Sequence, residues 1–394
     1  MSDDLSTRLV RLGDRLPESA APPESLPIVP STVYAFDDLD QLEAVYTGAA
    51  PGYIYARNGQ PNHDAVAALA AGIDGAAGAR VYASGMAAIT LAMLAHVSAG
   101  DHVIVNLPVY GGTFQFLRAE LVRRGISITY MYRTDDELML DASFQPETRF
   151  LFIETITNPL MTVPDIGRLA AIAHRHGARL IVDNTFATPV VCRPLALGAD
   201  TAVYSATKYL GGHSDLMAGV VAADADTIAR VHDLGILYGP TLGAGDAWLL
   251  ARSYRTLDLR VRRQCANALA LAMCLARHRC VRRVHYPGLP ANPSHARARA
   301  QFTDGLFGGM LSFELADAAA VDAFVRALAH VRLAPSLGGC ATTLSYPWGT
   351  SHRALGEAER TLQGITPGLV RVSAGLESAE DLVGEFTAAL DKLS

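Results

Sequence analysis

The chain has 394 residues, half of them hydrophobic, with a formal net charge of −6 at pH 7. That length buries more core than one compact layer needs, so two domains are expected. The acidic balance, with no basic stretch interleaved with aromatics, argues against a nucleic-acid partner, and no apolar run approaches the ~18–20 residues that cross a bilayer. The opening MSDDLSTRL has no apolar signal segment. The five cysteines, Cys192, Cys265, Cys274, Cys280 and Cys340, show no C-x-x-C spacing. They read as free thiols filling the core of a cytoplasmic protein, with no metal site.

Residues 1–50 are rich in proline and serine around PESAAPPESLPIVPST and read as an extended arm. The next 195 residues, 51–245, alternate. ARVYAS reads as a strand, and GMAAITLAMLAHVSAG as a helix running to Gly100. GDHVIVNLP is a strand, FQFLRAELVRRG a helix and SITYMYR a strand. TRFLFIET, ARLIVDNTF, DTAVYSATK and LMAGVVAA are further strands, with DIGRLAAIAHRHG a helix between the first two. Short β-rich runs between helical stretches specify βαβ units and a mostly parallel sheet. Near residue 245 the pattern changes. Leu257, Val261, Cys265, Ala268, Ala272 and Leu275 form one face of a long helix, with Arg260, Arg262 and Arg263 off it. GGMLSFEL, AVDAFVRALAHV, LVRVSAGL and a final helix then complete a smaller α+β domain over 246–394.

In open parallel sheets, ligands bind beyond the carboxyl ends of the strands. The polar residues at those ends therefore carry the information. YASGM places Ser84, Gly85 and Met86 at a strand-to-helix turn, where backbone N–H groups hold anions. LPVYGGTF places Tyr110 after the next strand, and ETITNP places Asn158 after another. LIVDNTF ends on Asp183, and VYSATK ends on Ser205, Thr207 and Lys208. Taken singly, Lys208 is a solvated lysine, Asp183 a helix cap, Tyr110 a packed aromatic and His213 a structural histidine. Taken together they are an amine, a carboxylate, a phosphate cradle, hydroxyls and a phenol at one sheet edge. Pyridoxal phosphate needs that set: a lysine for the Schiff base, an acid for the pyridine nitrogen, an aromatic face and a phosphate site. A nicotinamide dehydrogenase would want G-x-G-x-x-G after the first strand, and a serine hydrolase G-x-S-x-G; neither is found.

The segments YIYARNGQP, YASGMAAI, GDHVIV, YGGTF, VDNTF, YSATKYLGGHSD, GGMLSFEL, SLGG and GLVRVSAGLES follow one another from about residue 50 to the C-terminus. In these the chain resembles the pyridoxal-phosphate enzymes of cysteine and methionine metabolism: cystathionine γ-synthase, cystathionine γ-lyase, cystathionine β-lyase and methionine γ-lyase. The resemblance implies the fold-type-I α/β architecture and a homotetramer, a dimer of dimers with shared active sites. It implies that Lys208 carries the cofactor and moves protons, that Asp183 pairs with the ring nitrogen, and that Tyr110 stacks on the ring and protonates the leaving group. Gly85, Met86, Ser205 and Thr207 would hold the phosphate, with Tyr55 and Arg57 reaching the phosphate of a neighbouring subunit. Arg371 would fork the α-carboxylate of an amino-acid substrate, with Asn158 and Ser336 completing the pocket. The implied reaction is elimination or replacement at Cγ of a homoserine- or methionine-type amino acid. The alternatives are β-elimination from cysteine conjugates and a catalytically inactive binding protein on the same fold, the latter opposed by the intact Lys208, Asp183 and Arg371.

Three departures from the family pattern stand out. ARNGQPN replaces the usual SRxGNPT, with Gln60 and Asn62 in place of Asn and Thr. Gly112 stands where methionine γ-lyases often place cysteine. In SLGGCATTLSYPWGTSH, Ala341 falls where relatives carry a glutamate that can face a distal ammonium, and Tyr346 and Trp348 replace smaller or polar residues. The expectation is that cystathionine is a poor substrate and that an uncharged or acylated γ-substituent is preferred, unless another residue supplies the distal contact. The aromatic pair either widens an apolar wall of the pocket or packs within the fold.

Overall fold

The computed structural model describes residues 23–132, 134–350, 353 and 356–393, so the first part of the expected arm lies outside the described residues. The arm that is described includes a short helix, α1 (Leu39–Tyr46), which buries none of its side chains. The main sheet has seven strands: β1 (Gly78–Tyr82), β2 (His102–Asn106), β3 (Ser127–Met131), β4 (Thr148–Glu154), β5 (Arg179–Asp183), β6 (Thr201–Ser205) and β7 (Gly219–Ala223). They lie in the order β1-β7-β6-β5-β4-β2-β3. All run parallel except β7, which is antiparallel to both β1 and β6. The sheet is therefore mostly parallel, as the alternation of runs specifies.

Side-chain alternation splits the core into two layers. Phe150, Phe152, Ile181, Val203 and Val221 point to one face. Leu151, Ile153, Leu180, Val182 and Ala202 point to the other. The first face is covered by α3 (Gly85–Leu94), which is apolar nearly all round and buries seven of its ten residues. The second is covered by α5 (Ile166–Arg175), whose apolar stripe of Ile166, Leu169, Ala170, Ile172 and Ala173 is buried while the opposite side is polar. Helix α2 (Pro61–Asp74) closes the same layer over β1, and α4 (Gly111–Phe116) follows β2. Helix α3 stops at Leu94 rather than Gly100. Beyond it, Asp101 Oδ2 accepts the Ser98 N–H at 2.7 Å, and this local turn competes with the helix for the backbone.

Beyond β7, α6 (Ala225–Tyr238) returns against β1 and α3, and α7 (Ala244–Tyr254) packs on α2. The long helix α8 (Leu257–Leu275) buries all six residues of the expected apolar face. The expectation that Arg260 lies off that face is corrected by the structure: Arg260 is 5% exposed. Its guanidinium donates to the carbonyls of Tyr209 (2.7 Å), Ser253 (2.9 Å) and Leu210 (3.4 Å). These carbonyls replace the water that a stripe analysis assumes around every charge. Arg262 and Arg263 are exposed as expected.

A second sheet contains β8 (Arg283–His285), β9 (Met310–Glu314), β10 (Arg332–Leu333), β11 (Thr343–Ser345) and β12 (Leu369–Ser373), ordered β10-β11-β12-β9-β8. Helix α10 (Ala379–Asp391) packs on both α8 and α9 (Ala318–Ala327), and the rings of Phe313 of β9, Phe324 of α9 and Phe386 of α10 meet. Among the described residues no helix is long and apolar enough to cross a membrane.

One buried polar chain underlies the main sheet. Tyr204 O–H donates to Asp74 Oδ1 at 2.5 Å and accepts from Asn184 Nδ2 at 3.1 Å, and Asn184 Oδ1 accepts from Thr155. Burial pushes the Asp74 carboxyl up to about 7, against the opposing pull of the Tyr204 hydrogen bond. A carboxyl raised on folding binds its proton more tightly in the native state. Its contribution to stability is full below the ordinary value near 3.8 and is lost as pH rises through about 7. Asp74→Asn keeps an acceptor for Tyr204 and removes that loss, on the order of 1–4 kcal/mol at pH 8. The variant is expected to melt a few degrees higher than wild type at pH 8, with the gap narrowing at pH 5, as thermal scans at the two pH values would read.

Candidate active site

Glu154 and Asp183 are the last residues of β4 and β5 and are paired in register. Ser205 ends β6 two residues beyond Val203, the partner of Asp183. In-register residues on parallel strands point to one side, so alternation alone brings all three to the face shared with α3. There they line one cavity with Tyr110, Lys208 and Arg371.

Helix α3 begins against this edge. Ser84 caps it, its Oγ accepting the Ala87 N–H at 3.1 Å. Glycine at 85 lets the helix end touch β6, because a Cβ there would lie 2.5 Å from Ser205 Cβ. The first-turn N–H groups of Gly85 and Met86 thus sit at the cavity without intrahelical partners, beside the Ser205 and Thr207 hydroxyls. Thr207 Oγ1 takes the Ala218 N–H at 3.0 Å, fixing the end of β6 to the start of β7.

Lys208 is half-buried one turn later, and its Nζ donates to Ser336 Oγ at 3.2 Å. The SLGG loop reaches it because Gly338 has φ +75°, and a Cβ there would lie 2.7 Å from the Tyr209 backbone nitrogen. Burial, and then the charge of Arg371, lower the affinity of the Lys208 amine for its proton. Asp183 Oδ1 accepts from Thr185 N at 2.9 Å and Thr185 Oγ1 at 2.5 Å. Burial raises its carboxyl above the ordinary range.

Arg371, in the middle of β12, is buried at the far wall. Its Nη1 donates to Asn158 Oδ1 at 2.8 Å. Among the described residues its Nε has no partner, so a donor of the guanidinium fork stays free for a ligand. Burial lowers it to about 10, partly offset by Glu154. Tyr110 precedes α4 and is half exposed at the mouth. Its ring occupies the space that a side chain at 112 would fill, since a Cβ on Gly112 would lie 2.6 Å from Tyr110 Cε1.

Tyr55 and Arg57 stand elsewhere. Both are exposed, with the Arg57 guanidinium 5.5 Å over the Tyr55 ring and its Nη1 donating to Ile236 O at 2.9 Å. The fold of one chain does not carry them to Lys208. The neighbouring departures Gln60 and Asn62 are buried. Asn62 holds the arm, accepting from Val29 N and donating to Pro27 O, both at 2.8 Å. Ala341 is exposed and does not line the cavity, nor do Tyr346 and Trp348. The reading of the aromatic pair as an apolar pocket wall is therefore corrected. Tyr346 O–H donates to Pro367 O at 3.0 Å, and the Arg360 guanidinium stacks 3.9 Å above the Trp348 ring.

Sequence reasoning passed over Glu154. It is buried, and its two oxygens accept the Tyr110 N–H (2.6 Å) and the Asn158 N–H (3.1 Å). Burial, and then the Asp183 carboxylate, push it up to about 8. The available signal was an acid closing an apolar strand, as Asp183 does one strand over.

These residues fit pyridoxal phosphate: an amine pressed toward its neutral form, a helix N-terminus flanked by hydroxyls for a phosphate, and a buried carboxylate with hydrogen bonds on only one oxygen. The sheet and this edge define a fold-type-I pyridoxal-phosphate enzyme. The model of the family described as Cys/Met metabolism PLP-dependent enzyme matches residues 6–391. The chain is 40% identical over 373 residues to cystathionine beta-lyase of Lactococcus lactis subsp. cremoris, covering 93% of this chain and 94% of that relative. It is 38% identical over 371 residues to L-methionine gamma-lyase of Porphyromonas gingivalis, covering 93% and 92%. The crystal structure of cystathionine gamma synthase from Xanthomonas oryzae pv. oryzae in complex with aminoacrylate and cysteine matches with a TM-score of 0.88 at 36% identity, over 93% of each chain. The chain belongs to the family of pyridoxal-phosphate-dependent enzymes of cysteine and methionine metabolism.

Proposed function

We propose that the enzyme eliminates or replaces the γ-substituent of a homoserine- or methionine-type amino acid, and that this substituent carries no distal charge. The observation that carries the reading is the cavity itself, which sets the Lys208 amine opposite a buried arginine whose Nε is free. When bound, the cofactor supplies a sink for the electron pair left at Cα. Asp183 holds the ring nitrogen protonated. Gly85, Met86, Ser205 and Thr207 hold the phosphate. Arg371 forks the α-carboxylate, and Asn158 and Ser336 fix Arg371 and Lys208 in turn. γ-Chemistry requires proton removal from both Cα and Cβ. Lys208, tethered by a single bond to Ser336, serves both positions, and the Tyr110 phenol gives a proton to the leaving group.

The preference for an uncharged substituent is supported by the rest of the lining. Ile156, Phe186, Met217 and Leu337 are apolar, and of the four charged lining residues Lys208, Asp183 and Arg371 already have the roles above, while Glu154 is bonded to backbone amides. In the same reading Tyr55 and Arg57 reach the phosphate site of a partner chain, residues 51–245 hold the cofactor, 246–394 form the smaller domain, and the assembly is a cytoplasmic homotetramer. A second reading, β-elimination from cysteine conjugates, is favoured by the relative named cystathionine beta-lyase at 40% identity. It needs only the proton at Cα.

A panel of O-acetyl-, O-succinyl- and O-phosphohomoserine, methionine, cystathionine and cysteine, with and without a thiol, separates them by product mass. The proposal expects the highest kcat/KM for O-acetylhomoserine or methionine, giving a four-carbon oxo acid or a thiol-replaced product. Pyruvate as the dominant product from cysteine or cystathionine would establish the β reading. Cystathionine as the best γ-substrate would remove the claim about distal charge.

A further inference from the structure

Glu154 has no part in the roles above, yet its carboxyl group joins two separate loops of the site. Its Oε1 accepts the Tyr110 N–H at 2.6 Å, and its Oε2 accepts the Asn158 N–H at 3.1 Å. Asn158 in turn takes the Arg371 Nη1 donor on its own side-chain oxygen at 2.8 Å. One carboxylate therefore ties the start of α4, which carries the aromatic ring, to the turn after β4, which carries the arginine's partner. These segments lie 44 and 4 residues from Glu154 in the chain. Both backbone donors are otherwise loop amides beside the cavity.

The rigid end of β4 makes such a clamp effective. Glu154 is in register with Asp183 and is 6% exposed, so its side chain has no freedom to follow a loop that drifts. Tyr110, by contrast, is followed by Gly111 and Gly112 and is 46% exposed. Its position at the cavity mouth depends on its backbone being held. The bond from its N–H to Glu154 Oε1 holds it, and the Asn158 N–H on the opposite oxygen fixes the carboxyl group in turn.

We propose that Glu154 is a positioning residue: it fixes the distance between the Tyr110 ring and the Arg371 guanidinium by binding the Tyr110 amide and the Asn158 amide at once. This rests on the reading of Arg371 as the α-carboxylate site. A substrate is then gripped at its carboxylate only when the aromatic cover is in place over the reacting atoms, and loosening the clamp weakens carboxylate binding without touching Lys208.

The test uses the cofactor-loaded enzyme and L-alanine, which has the α-carboxylate and no leaving group. Its binding is read from the change in the cofactor's visible absorbance. Glu154→Gln replaces one acceptor oxygen with an NH2 that opposes an amide donor. It is expected to weaken alanine binding roughly 10- to 100-fold, with KM for the substrate rising by more than kcat falls. Asn158→Ala alone weakens alanine too, and the double variant is expected to be no worse than the weaker single by more than about twofold, because both act on one contact chain. Glu154→Asp keeps the carboxyl group but reaches only one amide, and is expected to weaken alanine in the same direction should the Gln variant fail to fold. Wild-type alanine affinity in either variant, or fully additive effects in the double variant, overturns the clamp. An absence of any alanine response in the wild-type enzyme overturns the carboxylate site itself, and the clamp with it.

Discussion

Lys208→Ala is expected to abolish turnover, by at least about 10³-fold, because the cofactor's covalent anchor and the base that moves protons vanish together. The side chain is half-buried; among the described residues its amine is bonded only to Ser336 and no second lysine lines the cavity. The visible absorbance of covalently held cofactor should disappear from the same variant. Near-wild-type activity would end the reading of this edge as an active site. The variant also probes the shared site. Mixed in equal amounts with Arg57→Ala subunits, it should form hybrid pairs with one intact site, recovering about a quarter of wild-type activity if pairs form at random. Arg57 lies away from the cavity of its own chain, so a failure to recover would mean that each chain is self-contained.

Arg371→Leu is expected to lower kcat/KM for an amino-acid substrate by roughly 30- to 5000-fold, since truncating one partner of a buried charge contact costs about 2–5 kcal/mol. Arg371 is 5% exposed, lines the cavity and, among the described residues, has no partner for its Nε, so the loss comes from a contact that water cannot replace. Arg371→Lys should recover only part of it, because an ammonium lacks the planar fork. The check is the ratio of rates for the substrate and for its carboxamide. In wild type the acid should be strongly preferred, and in Arg371→Leu the ratio should collapse toward one. An unchanged ratio would place carboxylate binding elsewhere.

Much of this was visible in the chain before the fold. The β-rich runs ended at the strands because each is flanked by Gly, Pro or Asp, and their alternation put Asp183 and Ser205 on one face. The antiparallel course of β7 was not visible. It depends on Gly219 passing so close to Ser84 O that a Cβ would sit 2.1 Å away, a contact between residues 135 positions apart. Arg260 was misplaced because an apolar stripe counts side chains and not the carbonyls that can satisfy a buried guanidinium. Glu154 was missed for a related reason. An acid in ETITNP looks like any strand-ending acid until the Tyr110 and Asn158 amides are seen to converge on it. Tyr346 and Trp348 drew notice because they depart from the family pattern, yet their contacts with Pro367 and Arg360 lie outside the cavity.

The cavity draws its two halves from different parts of the architecture. Ser84, Asp183, Ser205 and Lys208 stand at or just beyond strand ends of the main sheet, while Pro335 and Leu337 come from the loop before β11 in the second sheet. Loops accept substitutions that strand ends do not. On the proposed reading, a lineage built this way could exchange loop residues such as Leu337 while the strand-end residues assigned to the cofactor stay put. New specificities would then be reachable by gradual drift, without passing through forms that have lost their chemistry. That separability suits a family in which proteins named β-lyase and γ-lyase stand at nearly equal distance from this chain.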